Sequence, residues 1–377
     1  MSKPIETCVV GVGLAGMTFH VPFILALPQL FTLHSVVERN PKVQGGKVQQ
    51  RFGVSPKVYP SIEEALLEPS IELVIVATPN DTHYGFAKAA LEAGKHVLVD
   101  KPVAESAARA QELGDLAKSK SLVLYAFQNR RWDSDYLSLK GLVSLPESHP
   151  ENLGHIFEFE SHFDRYRPGL KGTWKDKTLP AAGALYDLGT HLIDQAYALF
   201  GRPDAVTASI LNLRGVGEEE VDDAFTVQLS YERDSSRQYP LNVILRSTPL
   251  SVKTQQLRYV VRGTRGTYTK HGLDTQEDHL KMISSPKAIL CEEFGEEPEY
   301  LNGKIEKILA DNETITKTTV PTLHAGGYVE LFQNLGAAIR AGAELAVKWE
   351  EATAVLRIIE LAIESSKTKA TVRIPAL

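Results

Sequence analysis

Residues 6–16 read ETCVVGVGLAG. An apolar run ending at Val10 enters three glycines, Gly11, Gly13 and Gly16, and an apolar helical stretch follows. Each glycine of a G-x-G-x-x-G turn has its own physical task. Gly11 permits the tight turn, Gly13 lets a pyrophosphate approach the backbone, and Gly16 lets the helix pack closely on its strand. Spacing alone is a weak signal, because glycine triplets arise by chance and a plain strand-to-helix turn would look the same. The context strengthens it. A strand lies before the turn, a helix after it, and Glu38 ends the next apolar run, near the expected offset of about 20 residues for a ribose-binding carboxylate.

Outward from that turn, short apolar runs recur: TLHSVVE (32–38), IELVIVATP (71–79), KHVLVDKP (95–102) and SLVLYAFQ (121–128). Helical patterns alternate with them, at IEEALLE (62–68), HYGFAKAALEAG (83–94) and ESAARAQELGDLAKSK (105–120). Strand and helix in alternation predict a parallel, doubly wound sheet. After about residue 150 the runs HIFEFESHFDRY, AVTASILNLRG, AFTVQLSYE, LNVILRS and LRYVVRGTRGTYTKHG are longer and partly alternating. That pattern predicts a mostly antiparallel sheet with one face solvated or covered by helices. A helical segment at 183–200 interrupts these strands, two helices near 328–342 and 350–367 follow, and TVRIP (371–375) adds a last strand. Residues 285–322 lack pattern and are expected to form a long surface excursion. The expected fold class is α/β: a dinucleotide-binding Rossmann domain over 1–125, then an α+β domain over 126–377 for substrate binding and self-association.

Composition excludes several classes. The 377 residues are 43% hydrophobic and 23% charged, as in ordinary globular chains. A net charge of -6 provides no basic surface for nucleic acid or an anionic membrane. No stretch of about 18 uncharged apolar residues is present to span a bilayer. The N-terminal MSKPIETCVV lacks a signal-peptide core, so a cytoplasmic location is expected. Cys8 and Cys291 are the only cysteines. They make no disulfide framework, and both are expected to be buried, inert thiols.

Glu38 is followed by Arg39. A carboxylate there accepts from ribose hydroxyls and repels a 2′-phosphate, whereas an arginine attracts one. The expected cofactor is therefore NAD(P)(H), with a slight lean to NAD.

Four ordered motifs resemble the Gfo/Idh/MocA oxidoreductase family over nearly the whole chain: GVGLAG (11–16), ATPNDTH (77–83), AGKHVLVDKP (93–102) and AAGALYDLGTHLIDQ (181–195). FQNRRWDSDYLSLKGL (127–142), ESHFDRYRPG (160–169) and KHGLDTQED (270–278) are similar to the subgroup holding NADP-dependent scyllo-inositol dehydrogenase. The chain departs from the family in having Asp100 where glutamate is usual, a reduced glycine cluster at Ala181-Ala182-Gly183, and Glu38 where the subgroup often has serine. Position by position, the resemblance implies that Thr78, Pro79, Asn80 and His83 line the cofactor, that Asp100 and Lys101 lie near the nicotinamide, and that Lys101, Asp187 and His191 form the catalytic group.

The chemistry of those residues agrees. Lys101 ends an apolar strand, at the edge where parallel sheets bind ligands. Its ammonium can stabilise negative charge developing on a substrate oxygen. Asp187, His191 and Asp194 recur at helical spacing, which suits a metal site, an acid–base pair or a solvated helix face. One histidine without a matched Cys or His run argues against a metal. A near-neutral imidazole suits proton transfer from a hydroxyl, with Asp187 holding it or binding a neighbouring hydroxyl. Asp194 stays outside this group. Asn129, Arg130, Trp132, Arg165 and Tyr166 are candidate substrate contacts, with donors and aromatic faces that suit a polyol or sugar. Interdomain salt bridges would explain the arginines equally well. The whole points to a dehydrogenase acting on a CH–OH group of a sugar or cyclitol, in a homo-oligomer. The rivals are a catalytically silent NAD(P)-sensing regulator on the same fold and a glycosidase that oxidises its substrate transiently.

Overall fold

The computed structural model describes residues 3–233, 238–322 and 327–375. The chain divides into two compact units, and each draws on several segments. The first comprises Met1–Trp132, Thr275–Glu296 and Gly327–Thr353; the second comprises Asp133–Asp274, Glu297–Gly326 and Ala354–Leu377.

The first unit holds β1 (Ile5–Val10), α1 (Val21–Ala26), β2 (Phe31–Val37), α2 (Gly46–Phe52), β3 (Lys57–Tyr59), α3 (Ile62–Leu66), β4 (Leu73–Val76), α4 (His83–Glu92), β5 (His96–Val99), α5 (Ala107–Ser119) and β6 (Leu124–Ala126). Its strands form one sheet in the order β3-β2-β1-β4-β5-β6, and every neighbouring pair is parallel. All four residues of β4 are buried, as expected where helices cover both faces of a parallel sheet. The order reverses between β1 and β4. Ligands of such sheets bind at that switch, outside the carboxyl ends of the strands. Two features escape the sequence pattern: β3, only three residues long, and α2, which buries little besides Val48.

The second unit begins with α6 (Ser134–Val143), then β7 (Ile156–His162), α7 (Thr190–Phe200), β8 (Ala205–Leu211), β9 (Ala224–Tyr231), β10 (Leu241–Ser247), β11 (Leu257–Gly263) and β12 (Gly266–His271). After α8 (Gln276–Met282), which belongs to the first unit, come β13 (Gly303–Ile308) and β14 (Ile315–Val320). Then α9 (Tyr328–Ala341), again in the first unit, leads to α10 (Trp349–Thr368), which belongs to the first unit up to Thr353 and to the second from Ala354, and to β15 (Val372–Arg373). The nine strands form one sheet in the order β14-β13-β12-β11-β7-β10-β9-β8-β15. Its pairs are antiparallel except β7 with β10, which run parallel at the centre.

Several expectations need correction. Residues 285–322 are not a structureless excursion, because β13 and β14 extend the large sheet by a hairpin. LRYVVRGTRGTYTKHG is two strands, not one, turning at Thr264-Arg265. Cys291 is exposed, whereas Cys8 is buried as expected and burial pushes its thiol up to about 11. The solvated-face alternative for Asp187–Asp194 does not describe its second half, while Asp187 is half-buried. Every residue from Thr190 to Ala196 is buried, His191 at 6% and Asp194 at 2% exposure.

Candidate active site

In the first unit the parallel strands bring their carboxyl ends to one edge, and the residues just beyond them are the cofactor candidates. Gly11 follows β1 with φ +95°, and a Cβ there would lie 2.6 Å from the Ala77 carbonyl oxygen. A Cβ at Gly16 would collide with the Gly11 carbonyl. Both glycines are therefore required by the chain's own packing. Gly13 is different: nothing lies within 4 Å of the place a Cβ would take. No protein atom demands glycine there, whereas a dinucleotide pyrophosphate pressed against the backbone would. The turn thus fits the group that the sequence implies.

The neighbouring loops are tied together. Thr78 and Thr82 hydroxyls lie 2.6 Å apart, and the Thr82 hydroxyl donates to the Pro79 carbonyl. Asn80 is buried beside them. His83, 1% exposed, has its ring nitrogens 2.7 Å from the Pro102 carbonyl and 2.8 Å from the Thr78 carbonyl. It clasps the loops after β4 and β5, with both nitrogens facing backbone. Asp100 accepts from the Lys101 backbone N–H at 2.8 Å and faces His20 Nε2 at 3.4 Å. Burial alone would raise the Asp100 carboxyl, yet the His20 hydrogen bond and the nearby Lys101 charge hold it below the usual range. Lys101 is half-buried at the end of β5.

Glu38 follows β2 and is 7% exposed. Its carboxylate accepts from the Lys47 backbone N–H at 2.9 Å, and a Cβ at Gly46, φ +59°, would collide with it. The Lys47 ammonium donates to the Val12 carbonyl, 3.3 Å away inside the glycine turn. Arg39 is exposed.

Asn129, Arg130 and Trp132 follow β6 and are all buried. Arg130 pairs with Glu277 at 2.6 Å and Arg131 with Glu351 at 2.7 Å. Both pairs lie inside the first unit. Two of the three motifs that narrow the resemblance, 127–142 and 270–278, meet here and in the second unit as scaffold. The Gln276 side chain donates to the Trp132 carbonyl at 2.9 Å, and Asp274 accepts from the Ser134 amide and hydroxyl, each at 2.8 Å.

In the second unit Asp187 sits on a π-helical turn, Leu185–Gly189, that runs directly into α7. The Thr190 N–H reaches back to the Leu185 carbonyl, so the segment is wound more loosely than the α-spacing of YDLGTHLID suggests. The turn is anchored by Asp222, which accepts from the Leu185 N–H at 2.8 Å. Gly183, φ +93°, has no room for a Cβ against that carboxylate. Burial pushes the Asp222 carboxyl up to about 6. Asp187 is held by two lysines, Lys175 at 2.7 Å from one carboxylate oxygen and Lys171 at 3.4 Å from the other. Arg165 is half-buried with its guanidinium 5.9 Å from the Phe163 ring, and Tyr166 is 60% exposed. Among the described residues no three His, Cys, Asp or Glu side chains gather into a metal-binding group.

Sequence reasoning missed His20, Lys47, Lys171 and Lys175. Their partners lie 12 to 80 residues away along the chain, where local spacing carries no signal.

Residues 5–128 match the oxidoreductase family's NAD-binding Rossmann fold, and residues 150–374 match its C-terminal alpha/beta domain. The "Uncharacterized oxidoreductase C115.03" of Schizosaccharomyces pombe is 38% identical, over 98% of this chain and all of that one. The scyllo-inositol 2-dehydrogenase (NADP(+)) IolW of Bacillus subtilis is 33% identical, over 98% of this chain and 95% of its own. Among solved structures, yvaA of Bacillus subtilis superposes with a TM-score of 0.88 at 32% identity, covering both chains completely. With both halves matched and relatives aligned end to end, the chain belongs to the Gfo/Idh/MocA oxidoreductase family.

Proposed function

We propose that the protein transfers a hydride between the CH–OH carbon of a sugar or cyclitol and a nicotinamide dinucleotide. The observation that carries this reading is Gly13. The chain's own packing does not call for glycine at that exposed position, whereas a pyrophosphate lying against the backbone would, and the turn lies two strands from Lys101 along the same sheet edge. A bound nicotinamide would supply the hydride acceptor or donor. The glycine turn, with Thr78, Pro79, Asn80 and Asp100, would hold it, and His83 would keep their loops in place. Lys101 Nζ hydrogen-bonds the reacting oxygen and stabilises charge there. A ring nitrogen of His191 takes the hydroxyl proton, and Asp187 orients the substrate. Asn129, Arg130, Trp132, Arg165 and Tyr166 are assigned to the substrate. Residues 1–125 form the cofactor domain of this scheme and 126–377 the substrate domain.

NAD is preferred slightly over NADP in this reading. The Glu38 carboxylate is fixed by the Lys47 amide, whereas Arg39 is exposed and loses energy to solvent screening. Sugars and cyclitols assayed by absorbance of the reduced nicotinamide test the scheme. Turnover of at least one CH–OH substrate, with a lower KM for NAD than for NADP, is expected. Tight dinucleotide binding with no turnover across the panel would instead favour the silent sensor.

A further inference from the structure

Positive charge is crowded around Asp187. Lys175 lies 2.7 Å from one of its oxygens and Lys171 3.4 Å from the other, so one carboxylate serves two ammonium groups. Burial pushes the Lys171 ammonium down to about 8, and the charges of Lys175 and Arg165 press the same way against the pull of Asp187. Neighbouring cations are matched one to one: Lys177 with Glu218 at 3.3 Å and Arg214 with Asp223 at 2.7 Å. Asp176 is another acid close to Lys171. Its carboxylate accepts from the Thr173 N–H at 3.1 Å and caps the short turn Trp174–Asp176.

Two ammonium groups therefore share the Asp187 carboxylate, and the Asp176 carboxylate is occupied by a backbone amide. Two like charges sharing one carboxylate keep an excess of positive charge that a second anion would relieve. The side chains of Lys171, Lys175 and Asp187 are 27%, 34% and 18% exposed, within reach of a small ligand. A neutral hydroxyl would have to compete with two ion pairs for Asp187, whereas an anion can share the lysines without displacing it. Ammonium groups on flexible stems suit either a carboxylate or a phosphate.

We propose that Lys171 and Lys175 receive an anionic group of the substrate, making that substrate an acidic sugar or cyclitol that bears a carboxylate or a phosphate. This rests on the reading that Asp187 and His191 serve the reaction site.

The test compares D-gluconate, D-glucose 6-phosphate and myo-inositol on the full chain saturated with NAD or NADP. Binding is followed by calorimetry and by Trp174 fluorescence, since Trp174 stands beside Lys175. Turnover is followed in parallel. One of the two acidic compounds should bind at least roughly tenfold more tightly than myo-inositol, and which one identifies the group. That ratio should collapse in Lys171→Ala/Lys175→Ala, survive in Lys171→Arg/Lys175→Arg, stay unchanged in Lys177→Ala and shrink with added salt. Turnover of myo-inositol with no preference for either acid would overturn the proposal and leave the oxidoreductase reading intact. Binding of an acid with no turnover of any compound would support the anion site and break the hydride-transfer reading. No binding of either acid would overturn the proposal.

Discussion

Two segments of the molecule open on the same kind of turn and are held by opposite means. Gly16–His20 is a π-helical turn that leads into α1, and Leu185–Gly189 is a π-helical turn that leads into α7. Each ends near a buried histidine, His20 and His191. The first is fixed by shape: Gly11 and Gly16 exist because backbone atoms leave no room for a Cβ. The second is fixed by charge: Asp222 anchors its start, and Lys171 and Lys175 hold Asp187. A sterically built site is unforgiving of added atoms, and an electrostatically built one is sensitive to salt, pH and lost charge.

Removing the groups assigned to the proton chemistry should have the largest effect. Lys101→Ala and His191→Ala should each lower kcat by about 10²–10⁴-fold, with dinucleotide affinity largely kept. The loss in the double variant should fall far short of the product of the single losses, because both groups act on the same substrate hydroxyl. Steady-state rates on a confirmed substrate decide this, and wild-type rates in either single variant would remove the assignment.

The glycine turn sharpens the contrast within the steric region itself. Gly16→Ala should cost about 2–3 kcal/mol of stability in urea unfolding, since backbone must move to admit the methyl. Gly13→Val should change stability by less than about 1 kcal/mol and yet weaken NAD(H) or NADP(H) by at least about tenfold in titration calorimetry. Equal stability losses at both positions would show that Gly13 too is a packing glycine.

The smallest effect concerns the reduced glycine cluster. Ala181 adopts φ +56°, a conformation that favours glycine, and it is 7% exposed. Ala181→Gly should relieve up to about 1 kcal/mol of strain, partly offset by the freer unfolded chain. A raised urea midpoint is expected. A lowered one would mean that the buried methyl contributes more than the strain costs.

The first unit is legible in the sequence for a physical reason. A parallel sheet covered on both faces needs continuous apolar runs, so Leu73–Val76 and His96–Val99 stand out. The same logic hides β3, whose Lys57 faces water, and β14, where Ile315–Thr319 are all exposed and only Val320 is partly covered. An edge strand as short as β3, or one with no buried side such as β14, leaves no period to read. Among the candidate residues, those carried by local motifs, such as Gly11, Lys101 and His191, could be named in advance. The pairing of Asp100 with His20, and of Asp187 with Lys171 and Lys175, depends on how distant segments meet. Even the i, i+4 spacing of Asp187 and His191 misleads slightly, because a π turn intervenes.

The parallel pairing of β7 with β10 bears on how the second unit assembles. Phe159 lies opposite Val243, so the central pair of the nine-stranded sheet closes only after the whole intervening chain, α7 included, is in hand. Loop closure of that span costs entropy before any contact repays it, and topologies rich in distant pairings fold slowly. During synthesis the helix bearing His191 emerges before the strand that completes the sheet's centre. The segment assigned to proton transfer is therefore made early, and its platform is completed late.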